Sequence, residues 1–221
     1  ATKPVPNGTA YGTLPTATRT GYTFDGWYTS ATGGTKVEDT TVMGTASTTI
    51  YAHWTPVTYT ISYDLAGGSV ATANPTRYTI ETASFTLVNP TRTGYTFAGW
   101  TGSNGTTAQT TVTIAKGTTG NLSYTATWTA KTYNVTKGAN YGTVTVNTTG
   151  TYNSALSFSA SASSTGYSYT IASIKVYAGT DTTGKLLKTV TATSGTFTMS
   201  AEAGGAYYAN IYVYATWTRV D

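Results

Sequence analysis

Chemistry in this chain would have to come from few groups. Its 221 residues include eight Asp and Glu, one His and no Cys. Without cysteine there are no disulfides, thiolate nucleophiles, thioester chemistry or Cys-based zinc sites. The one histidine, His53, stands in "YAHWT", and a single His gives no cluster for a metal. Thr127 and Thr216 hold the same place in two similar strings, so His53 is expected at an exposed strand position with no catalytic role. Glu38 and Asp39 are the only adjacent acids. A paired-carboxylate hydrolase needs two acids about 5–10 Å apart across a cleft, which small repeat domains seldom hold. Asp25 is answered by Ala98 in a second copy of its string, and Asp181 in "AGTDTTGK" reads as a polar turn. Ser and Thr nucleophiles need a base beside them. One covalent reaction fits a cysteine-free surface domain: a Lys–Asn isopeptide bond. Its candidates are Lys116, Lys131, Lys137 and Lys175, with Asn134 or Asn210 as partner. The chain is expected to be no enzyme and to carry no cofactor or metal.

The surplus lies in aromatic rings. There are 19 Tyr and 5 Trp, while charged residues make up only 9%, against roughly 25% in an average globular protein. Tyr rings stack on sugars and carry a hydroxyl handle. The densest run is "GGAYYANIYVY", Gly204 to Tyr214, so Tyr207, Tyr208, Tyr212 and Tyr214 are the candidate ligand-binding residues. The net charge of +4 is scattered, with no basic cluster, and nucleic acid is not an expected partner. No 18-residue apolar run exists, so no helical membrane span is expected. The opening "ATKPVPNGTAYG" has no signal-peptide pattern and reads as an internal boundary.

The elements that would position these residues are repeated. "RTGYTFDGWYT" (Arg19 to Thr29) returns as "RTGYTFAGWTG" (Arg92 to Gly102). Each string is followed by a closing one: "TTIYAHWT" (Thr48 to Thr55) and "LSYTATWT" (Leu122 to Thr129). A third closing string, "IYVYATWT" (Ile211 to Thr218), follows the divergent "STGYSYTIASIKVY" (Ser164 to Tyr177), in which the step to Trp is lost at Ile174 to Val176. Three units follow: residues 1–56, 57–130 and 131–221, the last divergent and longer. Thr, Tyr and Gly are strand and turn residues, and the fold class is mainly β. In "TYTISYDL", Tyr59, Ile61, Tyr63 and Leu65 alternate with polar residues, the pattern of a half-buried strand. "GTDTTGKLLKTV" (Gly179 to Val190) reads as a hairpin turn feeding a strand.

Tyr22, Phe24, Trp27 and Trp54 of the first unit, and Tyr95, Phe97, Trp100 and Trp128 of the second, are the expected core, with Trp217 in the third. Gly26 and Gly99 precede the first Trp of each pair and read as a bulge that re-aims it. The Ala beside each closing Trp leaves room for a ring across it, and the two Trp of a unit are expected to meet. Junctions such as "WTPVTYTISYDL" and "WTAKTYNVTKGA" leave about two residues between units, too few for a flexible tether. A stiff, elongated array is expected.

At "RTGYTFDGWYT…TTIYAHWT" and its second copy the sequence resembles the Listeria–Bacteroides repeat, the internalin B-repeat family. The resemblance covers residues 9–55 and 58–129 well and 131–218 weakly. It implies small β-grasp-like or β-sandwich-like domains in tandem on a bacterial cell surface, with any wall anchor outside these residues. Unit one starts near the equivalent of "YTIETASFTL" (Tyr78 to Leu87), so it lacks the opening strand that "TYTISYDLAGGS" gives unit two. Its edge is expected to be unfilled. The expected function is a structural stalk of a surface adhesin, packed against neighbouring domains of the same parent chain. The alternative is an adhesive module in which the third unit binds host mucin, glycan or matrix protein.

Overall fold

The computed structural model describes residues 2–220. It is nearly all β, and its sheets fall into three sets along the chain. The first holds β1 (Tyr22–Tyr28), β2 (Lys36–Val37) and β3 (Tyr51–Pro56), in the order β2-β1-β3. The second runs from β4 (Tyr59–Asp64) through β5 (Arg77–Tyr78), β6 (Phe85–Thr86), β7 (Tyr95–Gly102), β8 (Gly105–Gln109) and β9 (Thr113–Ile114) to β10 (Leu122–Ala130). The third opens with β11 (Thr132–Ala139), β12 (Gly142–Val146), β13 (Thr149–Thr151) and β14 (Leu156–Ala162). It continues through β15 (Ser168–Ala178), β16 (Leu186–Val190) and β17 (Ser194–Phe197) to a one-turn helix α1 (Met199–Glu202) and β18 (Asn210–Val220).

The second and third sets each form a five-stranded sheet of the same topology. The order is β5-β4-β10-β7-β8 in one and β13-β11-β18-β15-β16 in the other. In both, the first and last strands lie side by side and parallel, flanked by antiparallel neighbours. This is the β-grasp-like sheet that the resemblance implied. Small ladders cover its core face: β6 with β9, and in the third unit the larger β12-β14-β17.

Alternation decides which side chains meet. In β4, Ile61 is 3% exposed, Tyr59 and Tyr63 are half-buried, and the residues between them are exposed. Phe24 and Trp27 are three apart, so a regular strand would send them to opposite faces. One extra residue prevents this. Phe24 lies opposite Trp54, and Gly26 opposite His53, with Asp25 left over. In β7 the leftover residue is Ala98, between Phe97 opposite Trp128 and Gly99 opposite Thr127. In β15 it is Ala172, between Ile171 opposite Trp217 and Ser173 opposite Thr216. Each unit therefore carries a β-bulge at the same place. In the third, Ile174 stands where Trp100 stands in the second. The residue across from each is an alanine: Ala52 faces Trp27, Ala126 faces Trp100, Ala215 faces Ile174.

The bulge brings the rings together. Phe97 lies 5.5 Å from Trp100 and 5.5 Å from Trp128, edge-on to both. Phe24 lies 5.5 Å from Trp27 and 5.2 Å from Trp54. The two Trp of a unit are thus bridged by the Phe rather than stacked on each other. Trp100 and Ile174 are fully buried and Trp217 is 6% exposed, while Trp27, Trp54 and Trp128 are half-buried. Trp100 donates its indole N–H to Asn89 Oδ1 at 2.9 Å, and Trp27 to the Pro15 carbonyl at 2.7 Å.

Tyr63 and Tyr133 are held in these cores, and burial pushes both phenols up to about 12. The Tyr63 hydroxyl donates to the Pro75 carbonyl at 2.9 Å. The Tyr133 hydroxyl is buried without a hydrogen-bond partner among the described residues.

Two tests follow from this packing. Gly99 has φ +138, and a Cβ there would stand 2.6 Å from the Gln109 nitrogen and 2.8 Å from the Ala108 carbonyl carbon. At Gly26 the same atom would meet the movable end of Lys36. Gly99→Ala should therefore destabilise its unit by about 2–3 kcal/mol, through strained backbone and a clash, and more than Gly26→Ala does; denaturant titration of each variant checks this. The second test is alkaline. A raised phenol pKa favours folding fully below the ordinary value of about 10, and that contribution is lost as pH rises through the folded value. Stability should decline above about pH 10. Tyr133→Phe should flatten that decline without loss at neutral pH, since it removes only an unpaired buried hydroxyl.

Candidate functional site

The groups that could do chemistry are apart. His53 is half-buried rather than exposed. Its ring stacks on Tyr28 at 3.9 Å, and its Nε2 lies 2.8 Å from the Ser30 carbonyl. The expectation of an open strand position fails because the bulge beside it turns Tyr28 onto the same face. Asp25, the leftover bulge residue, accepts from the Thr55 hydroxyl at 2.8 Å. Asp181 accepts from the Thr183 backbone N–H at 2.8 Å and its hydroxyl at 2.6 Å. These bonds lower its pKa and make a closed polar turn. Glu202 accepts from Lys188 Nζ and from the Thr198 N–H, both at 2.7 Å. Burial pushes its carboxyl up, but those bonds outweigh it and hold the pKa below the usual value. This pair ties α1 to β16 beside the third core. Among the described residues no three of His, Asp and Glu gather where they could hold a metal ion.

The two asparagines considered for an isopeptide bond pair with each other. Asn134 and Asn210 sit opposite each other in the parallel ladder of β11 and β18. The Asn134 amide donates to Asn210 Oδ1 at 3.2 Å, so each carboxamide has the other as its neighbour. Lys131 instead holds its ammonium 5.4 Å from the Tyr207 ring centre.

The four tyrosines proposed for binding divide in two. Tyr207 and Tyr208 pack against the third core, and Tyr207 donates its hydroxyl to the Thr132 carbonyl at 2.6 Å. The Tyr208 N–H lies 3.2 Å from Met199 Sδ. Tyr212 and Tyr214 point away from that core, on the outer face of β18. Their rings stack at 5.9 Å with 26° between planes. Gly138, opposite Tyr214, leaves the space that the Tyr212 ring crosses.

A different site emerges at the joints between units. Gly21 N-terminal to β1 packs on Ile80 of the second unit, where a Cβ would approach to 2.6 Å. Tyr22 donates its hydroxyl to Glu81 at 2.7 Å. One unit further on, Gly94 packs face-on against the Tyr152 ring of the third unit, and Tyr95 meets that ring edge-on at 5.5 Å. Backbone bonds close both joints. Val57 N–H donates to Gly21 O, and Lys131 N–H to Gly94 O, each at 2.9 Å. Arg19 lies over Tyr22 at 3.7 Å and Arg92 over Tyr95 at 3.9 Å, a cation–π arrangement that stiffens each ring. The repeated string thus has two roles: its Arg-Thr-Gly-Tyr half makes the joint, and its Phe-x-Gly-Trp half makes the core. Tyr22 and Tyr95, expected in the core, belong to the joint. Sequence reasoning missed this because both halves repeat together. The signal that could have found it is the glycine before Tyr, which no strand needs.

Because Asn134 and Asn210 are engaged with each other, the intact mass of the purified chain should equal its sequence value. A deficit of one ammonia per bond in the mass spectrum would contradict that arrangement.

The Listeria-Bacteroides repeat domain family matches residues 1–53 and 59–129, more than half of the chain. No curated protein and no solved structure gives a match. The matched segments carry both bulged strands, both Arg-Thr-Gly-Tyr strings and the Phe–Trp cluster of the second unit, while Trp54 of the first cluster stands just beyond the first match. The third unit lies outside the match yet keeps the sheet order and the bulge. Among the described residues no helix is long and apolar enough to cross a membrane. By these repeats the chain belongs to the Listeria–Bacteroides repeat family, which is typically found in surface proteins.

Proposed function

We propose that the chain is a length of extracellular stalk from a bacterial surface adhesin. Three non-catalytic units stand end to end and hold a binding region away from the cell wall, to which the parent chain is anchored elsewhere. The observation that supports this reading is the repeated joint. β3 and β4 are separated by two residues, Val57 and Thr58, and β10 and β11 by Lys131 alone. At both boundaries the same Gly-Tyr element, braced by the same Arg, packs on the following unit. A spacer must transmit orientation as well as distance, and short junctions with packed rings do so. Linkers that need freedom are long and rich in Gly and Ser.

Tyr212 and Tyr214 support a second reading. Their stacked, half-buried rings on the outer face of β18 suit a sugar ring, and the third unit departs most from the others. In this reading the third unit binds host glycan, mucin or matrix protein.

Small-angle X-ray scattering tests the stalk. The radius of gyration should lie well above the roughly 17 Å of a compact globule of this length, and a value near the globular one overturns the reading. Binding to a panel of mucins, glycans and matrix proteins separates the two. The stalk predicts none. Saturable binding abolished by Tyr212→Ala with Tyr214→Ala would establish the adhesive module instead.

A further inference from the structure

The two joints follow one plan but differ in charge. At the first, Arg19 lies over Tyr22 at 3.7 Å, and the Tyr22 hydroxyl donates to Glu81 at 2.7 Å. A cation, a phenol and a carboxylate thus complete one another within the chain. At the second, Arg92 lies over Tyr95 at 3.9 Å, but Tyr152-Asn153 stands where the first has Ile80-Glu81. Asn153 is neutral, and its Oδ1 accepts from Ser200 Oγ at 2.8 Å. The junction residue changes too. Val57, three after Trp54, is answered by Lys131, three after Trp128. The second joint has therefore lost an acid and gained a cation. Among the described residues neither Arg92 nor Lys131 forms an ion pair, and no hydrogen bond engages the Tyr95 hydroxyl.

These groups line a groove of about 590 Å³ that also takes in Phe97 and Trp128. Small-ligand sites span about 300–1,000 Å³. Both rings are half-buried, so each is anchored in the core and shows the rest of its surface to the groove. Trp128 is fixed from several sides. Its N–H donates to the Leu65 carbonyl at 3.1 Å, Phe97 meets it edge-on at 5.5 Å, and a Cβ on Gly68 would stand 2.5 Å from the indole. A platform held this firmly needs little ordering when a ligand lands on it. Arg92 has one face on the Tyr95 ring, which leaves its planar edge of N–H donors free. Gly67, with φ +83, turns beside that edge, and a Cβ there would stand 3.4 Å from Nε. The exposed hydroxyls of Ser69, Thr93 and Thr96 complete the wall.

We propose that the groove at the second joint binds a sugar acid, a pyranose ring that carries a carboxylate. The carboxylate takes the part that Glu81 plays at the first joint. It accepts from the Arg92 edge, from Lys131 and from the Tyr95 hydroxyl, and charge-assisted bonds of this kind are the strong ones. The apolar C–H face of the ring lies on the electron-rich face of Trp128, and its hydroxyls meet those of Ser and Thr. Other occupants match less of the groove. A neutral sugar leaves both cations unanswered, and a simple carboxylate leaves the indole uncovered. An acidic peptide would pair with an open strand edge, but Ser69 and Thr91 are bonded to each other through both backbone groups, at 2.9 and 2.8 Å. The first joint, with Glu81 in place and Val57 for Lys131, binds no such ligand. The site is separate from Tyr212 and Tyr214, and it does not rest on the stalk reading. One sugar residue in one open groove gives a dissociation constant of about 1 mM. That is too weak to hold the chain on a washed panel of polymers, so the outcome expected there for a stalk is unchanged.

Nuclear magnetic resonance titration of the full chain tests this. Sodium glucuronate and sodium N-acetylneuraminate are the probes, with glucose and sodium acetate as controls at equal ionic strength. A sugar acid should give saturating shifts at the Trp128 indole N–H and at the amides of residues 91–97 and 131, with none at residues 19–24. Glucose and acetate should each bind at least about tenfold more weakly. Lys131→Gln and Tyr95→Phe should each weaken binding by about threefold to tenfold, while unchanged amide shifts along β18 report that each variant is folded. Tyr212→Ala with Tyr214→Ala should leave binding intact. No saturation by either sugar acid up to about 50 mM overturns the proposal. So does equal binding of acetate, which would make the groove a general anion site, or equal binding of glucose, which would give the cations no part. Shifts that follow Tyr212 and Tyr214 instead would place the ligand on the third unit and overturn it as well.

Discussion

One constraint shapes every unit: two large side chains three residues apart must face the same side of one strand. The alternation of a β-strand forbids this, and a single extra residue removes the prohibition. Asp25, Ala98 and Ala172 are those residues. Much else follows from them. The strand must turn sharply at the bulge, which places Gly at 26 and 99. The re-aimed Trp needs a small residue across from it, which places Ala at 52, 126 and 215. Phe then sits between the two Trp and joins two strands through edge-on ring contacts, a geometry rings favour over face-to-face stacking.

The same framework tolerates different fillings. The third unit puts Ile174 where a Trp stands in the second, and so loses volume at the centre of its sheet. It regains it from outside the sheet. The β12-β14-β17 ladder and the short α1 bring Phe158, Phe197 and Met199 into the cluster, the last two fully buried. The Lys188–Glu202 pair closes over that addition. The first unit varies in the other direction. It keeps the bulge, the Phe and both Trp, no parallel strand lies beside β3 among the described residues, and its rings are half-buried.

The joints explain why so distinctive a string is repeated whole. Its halves serve neighbouring interfaces, one inside the unit and one between units. Gly21 and Gly94 allow the next unit's side chain to approach where a Cβ would collide. Tyr and Arg then make the lateral contacts. A change in either half disturbs a different interface, so the string behaves as a coupling between internal packing and the arrangement of successive units.

The sequence by itself determined the local features. Period-two alternation gave β4 and β18, the glycine before Trp gave the bulge, and the repeat spacing gave the units with their shared closing strands. These are properties of adjacent residues, and adjacent residues are what a strand pattern records. Only the tertiary structure decided what those elements meet. It set the first and last strands of a unit parallel, across some sixty intervening residues that no local pattern spans. It assigned Tyr22 and Tyr95 to joints rather than cores, because the groups they meet, Glu81 and the Tyr152 ring, lie in the following unit. It turned His53 onto Tyr28, and it divided the tyrosines near the C-terminus into two that support the core and two that face outward. Each of those outcomes depends on which partner arrives from far along the chain, and burial is a property of the pair rather than of either residue.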